Sequence, residues 1–223
     1  MPKQYAVIGL GRFGTSIART LYSLGQEVLA IDTNEERLKY VADEVTHTLL
    51  ADTTDANVLK NLGIANFDVV IVAIGENVQA NIMTTLLIKE LGVKYVVAKA
   101  LNKMHGRVLQ KVGADRVVFP ERDMGKRVAH NLVAANLVDY IELAQGFRII
   151  EVFALKEMIG KTLQNLNFRA KYGVNVLLIK RATGEALISP GAGDQIHDGD
   201  ILVMAGEKAA LNKFEQKLEN KEH

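Results

Sequence analysis

The chain has 223 residues, 48% of them hydrophobic, and its 27 Lys and Arg nearly balance its 26 Asp and Glu. That length suits one large domain or two small ones, and the near-zero net charge excludes nucleic-acid binding by bulk electrostatics. There is no cysteine, which excludes disulfides, thiolate metal sites and thiol nucleophiles and fits a reducing cytoplasm. Met1-Pro2-Lys3-Gln4 leads directly into a strand-like segment with no secretory leader. No apolar run reaches the length of a membrane span, so work at a membrane would go through a partner.

In chain order, Tyr5 to Leu10 reads as a buried strand ended by glycine. Phe13, Ile17, Leu21 and Leu24 have helical spacing, and Gly25 stops that helix. Glu27 to Ile31 is a second strand ended by Asp32, and Asn34 caps a helix running to about Glu44. Thr46 to Leu50 is a third strand, Val58 to Leu62 a helix stopped by Gly63, and Asp68 to Ile74 a fourth strand. A helix from Gln79 to Leu91, a strand from Tyr95 to Ala98, a helix over 103–112 and a strand from Arg116 to Phe119 follow. Strands alternating with helices imply a parallel sheet covered on both faces, a Rossmann-type doubly wound α/β fold.

After Pro120 the rhythm changes. Met124, Val128, Leu132 and Val133 mark one amphipathic helix to about Asn136. Strands with short turns come next, over Ile149 to Ala154, Val174 to Lys180, Ala186 to Ile188 and Ile201 to Met204, and a helix from Glu207 to Leu218 closes the chain. We expect a domain boundary near residues 137 to 148, giving a nucleotide-binding domain over 1–137 and a smaller β-rich α+β domain over 138–223.

Gly9-Leu10-Gly11-Arg12-Phe13-Gly14 is a G-x-G-x-x-G run between a strand and a helix. Gly9 permits the tight turn, Gly11 lets backbone approach phosphate, and Gly14 lets the helix pack near the strand. The helix N-terminus offers free N–H groups and a partial positive charge to an anion. Asp32 ends the second strand, where a carboxylate accepts hydrogen bonds from both ribose hydroxyls and repels a 2′-phosphate. It does not separate NAD from ATP or ADP, which share the adenosine ribose. Arg12 reaches a phosphate with a fork of donors, which suits a terminal phosphate as well as a pyrophosphate.

Other candidates follow the strand ends, where ligands bind in such sheets. Asp52 and Thr53 lie on the adenine side, Ala73, Ile74 and Gly75 cover the base or ribose, and Lys99 reaches phosphate. Glu121 follows the sixth strand, and a carboxylate beside a polyphosphate needs a cation between them.

A dehydrogenase also needs a group that moves a proton. None of His47, His105, His130, His197 and His223 lies in a recognisable catalytic setting. Tyr95 and Lys99 have the spacing of a short-chain dehydrogenase dyad, but that dyad needs a helix and these residues read as strand. No Walker loop, His-Glu-x-x-His or Gly-x-Ser-x-Gly motif occurs. A DNA-reading regulator is also disfavoured: the stretch from Lys99 to Arg127 is basic but holds no helix-turn recognition helix. Binding without chemistry is the leading reading, and an NAD(H)-dependent oxidoreductase is the alternative.

Several segments resemble RCK (KTN) domains, the cytosolic regulators of bacterial potassium channels and transporters. They are Tyr5-Ala-Val-Ile-Gly-Leu-Gly-Arg-Phe-Gly14, Ala51-Asp-Thr-Thr54, Val70-Ile-Val-Ala-Ile-Gly-Glu-Asn77, Val112-Gly-Ala-Asp115 and Pro120-Glu-Arg-Asp-Met124. The tail is similar to the associated C-terminal domain through Arg169-Ala-Lys-Tyr-Gly-Val-Asn175 and Ile196-His-Asp-Gly-Asp-Ile-Leu-Val-Met-Ala-Gly206. The likeness is greatest to regulatory subunits of Ktr-type potassium uptake systems. The resemblance implies a homo-oligomer, a dimer assembling into an octameric ring beneath a membrane-embedded potassium-translocating subunit. It implies ATP and ADP competing for the Rossmann site, with NAD(H) able to occupy related sites. By position, Arg12 would contact the ATP γ-phosphate across the dimer, Asp32 the ribose, and Lys99 and Arg107 the phosphate region. Glu121 would help hold Mg2+, Ca2+ or Na+ at the nucleotide. Arg169, Asn175 and Pro190 fall where relatives bind cyclic di-AMP, which lowers activity.

Overall fold

Strand after strand in the first half is apolar on both sides, and such strands are stable only inside a sheet covered on both faces. The computed structural model describes residues 2–133, 137–144 and 146–219. The chain divides into two compact units, Met1–Asp123 and Met124–His223. The first runs β1 (Gln4–Ile8), α1 (Arg12–Ser23), β2 (Glu27–Asp32), α2 (Glu35–Val41), β3 (His47–Leu50), α3 (Ala56–Asn61), β4 (Val69–Val72), α4 (Val78–Glu90), β5 (Val96–Lys99), α5 (Lys103–Lys111) and β6 (Arg116–Val118). A further helix, α6 (Pro120–Val133), begins in this unit and continues past its boundary. The six strands are parallel in the order β3-β2-β1-β4-β5-β6. The direction of progression reverses between β1 and β4, which opens a crevice at their carboxyl ends.

Alternation along the central strands feeds the two faces. Ala6 and Ile8 of β1 pack with Val70 and Val72 of β4 in one core, while Val7 and Ile71 pack in the other with Ala18 and Val28. Every residue in that pairing is buried. The strand expected to reach Leu10 stops at Ile8, because Gly9 takes a φ of 91° and turns the chain into α1. The helix expected to reach Glu44 gives way after Val41 to a 3-10 turn over Ala42–Glu44.

The second unit holds a five-stranded antiparallel sheet in the order β10-β9-β11-β8-β7. Its strands are β7 (Leu137–Ala144), β8 (Phe147–Phe153), β9 (Asn175–Lys180), β10 (Ala186–Ile188) and β11 (Ile201–Glu207). The helices α7 (Leu163–Leu166) and α8 (Phe168–Tyr172) precede β9, and α9 (Lys208–Glu219) follows β11. Residues 137–144 were expected as part of a boundary and instead form a strand paired with β8, with Gly146 at φ 86° in the turn. Expected helix to Asn136 falls partly outside the described residues. Ile150, Val152, Leu202 and Met204 form a core with Phe168, Leu211 and Phe214. The Phe214 ring meets Phe168 and Tyr172 edge-on at 5.8 and 5.2 Å between centroids. Arg181 Nη1 donates to the Gln195 carbonyl at 2.9 Å and to Asp200 Oδ2 at 2.5 Å, closing the loop before β11. Among the described residues no helix is long and apolar enough to cross a membrane.

Phe214 is the aromatic hub of this unit. Phe214→Ala is expected to lose about 3–5 kcal/mol from unfolding of the second unit, read as a lower urea midpoint.

Candidate functional site

The four helices that follow β2, β3, β4 and β5 each begin on a polar cap. Asn34 Oδ1 accepts from the backbone of Glu36 and Arg37, Asp55 from Asn57, Asn77 from Ala80, and Asn102 from His105. Such caps satisfy the orphan N–H groups of a helix start. The helix after β1 has none: its cap residue is Gly11, with no side chain to accept. The first turn of α1 therefore keeps its donors for another acceptor, at the carboxyl end of the central strand.

The three glycines differ in what demands them. A Cβ on Gly14 would collide with the Gly9 carbonyl oxygen. One on Gly9 would lie 2.8 Å from Ile74 N, and the φ of 91° there also favours glycine. Gly11 has an ordinary φ of −69°, and a Cβ there would meet nothing within 4 Å. Protein packing accounts for Gly9 and Gly14. At Gly11 the missing side chain leaves open space over the helix start, which fits the close approach of an anion.

Asp32 is 6% exposed. Its Oδ2 accepts from Leu10 N at 2.6 Å and its Oδ1 from Asn34 N at 2.9 Å. It thus pins the glycine loop to the β2–α2 turn. A carboxylate has about four acceptor sites, so hydroxyl donors can still be received. Arg37 Nη1 lies 3.7 Å from Asp32 Oδ2, and Arg37 Nη2 lies 3.9 Å from Glu76. Arg37 was not singled out in the sequence. Its place one helical turn beyond the strand-end acid is the signal that was available.

Lys99 ends β5 and is 9% exposed. Its Nζ donates to Glu121 Oε1 at 2.6 Å and lies 5.8 Å from the centre of the Phe13 ring. A Cβ on Gly75 would come within 3.3 Å of that Nζ. Lys99, Phe13, Gly75 and Glu121 therefore converge beside the glycine loop. The hydrogen bond from Lys99, opposed by burial and helped by the charges of Lys99 and Arg12, holds the Glu121 carboxyl below its ordinary range. Arg12 is exposed and Arg107 is exposed on α5. Neither makes an ion pair with another described residue.

Ala73 is buried and its N–H donates to the Ile8 carbonyl at 2.7 Å, tying β4 to β1 at the crevice. Asn81, fully buried on α4, was also missed. Its Nδ2 donates to the carbonyls of Ile74 at 2.6 Å and Lys99 at 3.2 Å, fixing the ends of β4 and β5 against each other. An asparagine inside a helix gives no sequence signal for such a clamp. Thr53 is buried with its hydroxyl 2.9 Å from that of Thr84. Asp52 is exposed, and the N–H and hydroxyl of Thr54 lower its pKa.

Tyr95 precedes β5 and Lys99 ends it, so the two are separated by about 13 Å of extended strand and form no dyad. Burial lowers the pKa of His105, whose Nδ1 accepts from Leu101 N at 3.4 Å. It is a neutral packing residue at the start of α5. In the second unit, Arg169 lies on α8 and Asn175 starts β9. Ser189 N donates to the Leu177 carbonyl, so the β9–β10 register brings Pro190 alongside the start of β9. Arg169 and Asn175 are exposed.

Residues 5–120 match the TrkA-N domain model and residues 147–219 the TrkA-C domain model. The chain is 49% identical to Ktr system potassium uptake protein C of Bacillus subtilis (strain 168), covering 98% of each chain. This chain belongs to the TrkA-N/TrkA-C family of potassium uptake proteins. It is also 39% identical to Ktr system potassium uptake protein A of Vibrio alginolyticus, covering 94% of each. The crystal structure of the GsuK RCK domain superposes with a TM-score of 0.67 at 20% identity, covering 97% of this chain and 47% of that one. The chain thus spans about half the length of that RCK structure. The likeness extends through both units and bears out the Rossmann-type sheet followed by a smaller antiparallel domain. The relatives are uptake proteins, not enzymes, which sets aside the oxidoreductase alternative.

The two kinds of glycine are separable by experiment. Gly14→Ala is expected to destabilise the first unit by more than about 2 kcal/mol, because backbone must shift. Gly11→Ala is expected to change stability by under about 1 kcal/mol. Thermal unfolding of both variants without nucleotide checks the contrast.

Proposed function

We propose that this chain is the nucleotide-binding regulatory subunit of a Ktr-type potassium uptake system, working in the cytoplasm at the inner face of the membrane through a membrane-embedded potassium-translocating subunit. The observation that carries the reading is the uncapped start of α1 at Gly11, with Asp32 bonded to the same loop, Arg12 as the first residue of the helix and Lys99 facing Phe13. Backbone N–H groups there receive phosphate, Asp32 receives ribose hydroxyls, and the cations neutralise further phosphates. One solved relative in fold is a GsuK channel bound to NAD and another is GsuK bound to ADP. Both support an adenine nucleotide as the ligand class, with ATP and ADP as the regulators and NAD(H) as a further occupant.

On this reading Gly9, Gly11, Phe13 and Gly14 form the phosphate loop, and Asp52, Thr53, Ala73, Ile74 and Gly75 border the nucleoside. Lys99 and Arg107 serve the phosphates. Arg12 reads the γ-phosphate across a dimer, and an octameric ring carries the response to the membrane subunit. Among the described residues no three acidic or histidine side chains form a cation site. Glu121 fits Mg2+, Ca2+ or Na+ only as one carboxylate completing a shell of phosphate oxygens. The bound cation would offset phosphate charge.

A nucleotide switches such a ring only by binding one shape better than another. A tenfold preference is worth about 1.4 kcal/mol per site, and several sites in one ring act together. Calorimetric titration of the purified protein with ATP, ADP and NADH is expected to give saturable binding of ATP and ADP. Arg12→Ala should weaken ATP by at least about tenfold and ADP by much less. Equal losses for the two nucleotides would remove the γ-phosphate role, and an absence of ATP binding would remove the reading itself.

The second unit extends the proposal: Arg169, Asn175 and Pro190 form a surface for cyclic di-AMP, whose binding lowers activity. Its support is the β9–β10 register that brings Pro190 beside the start of β9, the strand that begins with Asn175 and follows α8. Arg169→Ala is expected to raise the dissociation constant for cyclic di-AMP by roughly tenfold, through loss of a charge-assisted phosphate contact. An unchanged constant would dismiss this surface.

A further inference from the structure

The ion pair between Lys99 and Glu121 occupies the group that the phosphates need. Lys99 is a cation with only 11% of its side chain exposed, so it has little water to solvate it. A charge so placed is stable only with a counter-charge close by. Within the chain that counter-charge is Glu121, whose Oε1 sits 2.6 Å from Nζ. The two partners differ in freedom. Lys99 is fixed by its place at the end of β5, where its own carbonyl accepts from Asn81. Glu121 is 67% exposed on the first turn of α6 and is free to turn toward solvent. Gly75, which has no side chain, also lies beside Nζ, 3.3 Å from where its Cβ would stand, and Phe13 of the glycine loop faces the same ammonium.

We infer that Glu121 is an internal competitor for the nucleotide phosphates: it neutralises Lys99 in the empty protein, and phosphate displaces it. The inference rests on the nucleotide reading of this cleft and adds a regulation to it. Lys99 exchanges one anion for another, so its burial stays compensated throughout. Glu121 is the group that changes state, passing from an ion pair to solvent or to a cation. Because Glu121 lies on α6, which starts in the first unit and runs past its boundary, the exchange alters the first turn of that helix. Affinity is lowered in the empty state by the strength of the pair that must be broken, and removal of Glu121 must raise it.

The test uses the full chain in buffer with a chelator, with ADP as the probe. Glu121→Gln and Glu121→Ala are compared with the unmodified protein by calorimetry and by thermal unfolding. Both variants are expected to bind ADP roughly three- to tenfold more tightly. Without ADP both should unfold a few degrees lower, because Lys99 has lost its partner, and saturating ADP should abolish that difference. Simple charge repulsion between Glu121 and phosphate would also tighten ADP but would leave the empty variants at least as stable as the unmodified protein, and that result overturns the exchange. Unchanged or weaker ADP binding by the variants overturns it as well. If the unmodified protein binds no ADP or ATP, the nucleotide reading falls and the exchange falls with it.

Discussion

The hydrogen bond from Leu10 N to Asp32 Oδ2 is the constraint on which the cleft depends. It joins the turn after β1 to the end of β2, while the second oxygen of Asp32 receives Asn34 N and so orients the start of α2. Two loops that leave neighbouring strands are thereby held by one buried carboxylate. With its entry fixed, α1 points its uncapped end over the carboxyl edge of the sheet. Asp32 makes these bonds from a buried place, where Arg37 supplies a nearby positive charge. A residue that reads as a ligand contact in the sequence is thus equally a structural rivet, and its replacement would disturb the loop before any question of ribose arises.

Much of this was legible in the sequence, for identifiable reasons. The Rossmann-type unit is written in local signals: buried β-branched runs, Asn or Asp caps and glycine stops recur along it, and the observed strands fall within a few residues of the expected ones. The family resemblance rested on segments most of which form the turns at the carboxyl ends of the parallel strands. Legibility failed where long-range pairing decides the outcome. Residues 137–144 form a strand only because β8 lies ready to pair with them, and α7 and α8 are too short to carry a periodic pattern.

The site shows the same division. Gly9, Gly11, Gly14, Asp32, Lys99 and Glu121 were legible as candidates because motif and strand-end position point to them. Arg37 and Asn81 were not, since their importance is a matter of which atoms they reach across the sheet rather than of what surrounds them in the chain. Asn81 holds two strand-end carbonyls from the middle of a helix, and its identity there reflects distance in space alone. Gly11 differs from the other two glycines of the motif: its neighbours leave room for a side chain, so nothing within the fold asks for glycine.

The internally satisfied cleft has a kinetic consequence. Asp32, Lys99 and the capping asparagines all find partners inside the chain, so the pocket is shaped before any ligand arrives. On the proposed nucleotide reading, none of the described segments of the cleft has to order itself around the ligand, and binding lacks the slow step of coupled folding. Association is then governed by encounter and by the lifetime of one surface-facing ion pair, which rearranges on the fast timescale of side-chain motion. If adenine nucleotides are the regulators, as proposed, a cell whose adenylate ratio swings abruptly would meet a receptor whose response time is set by dissociation of the previous occupant.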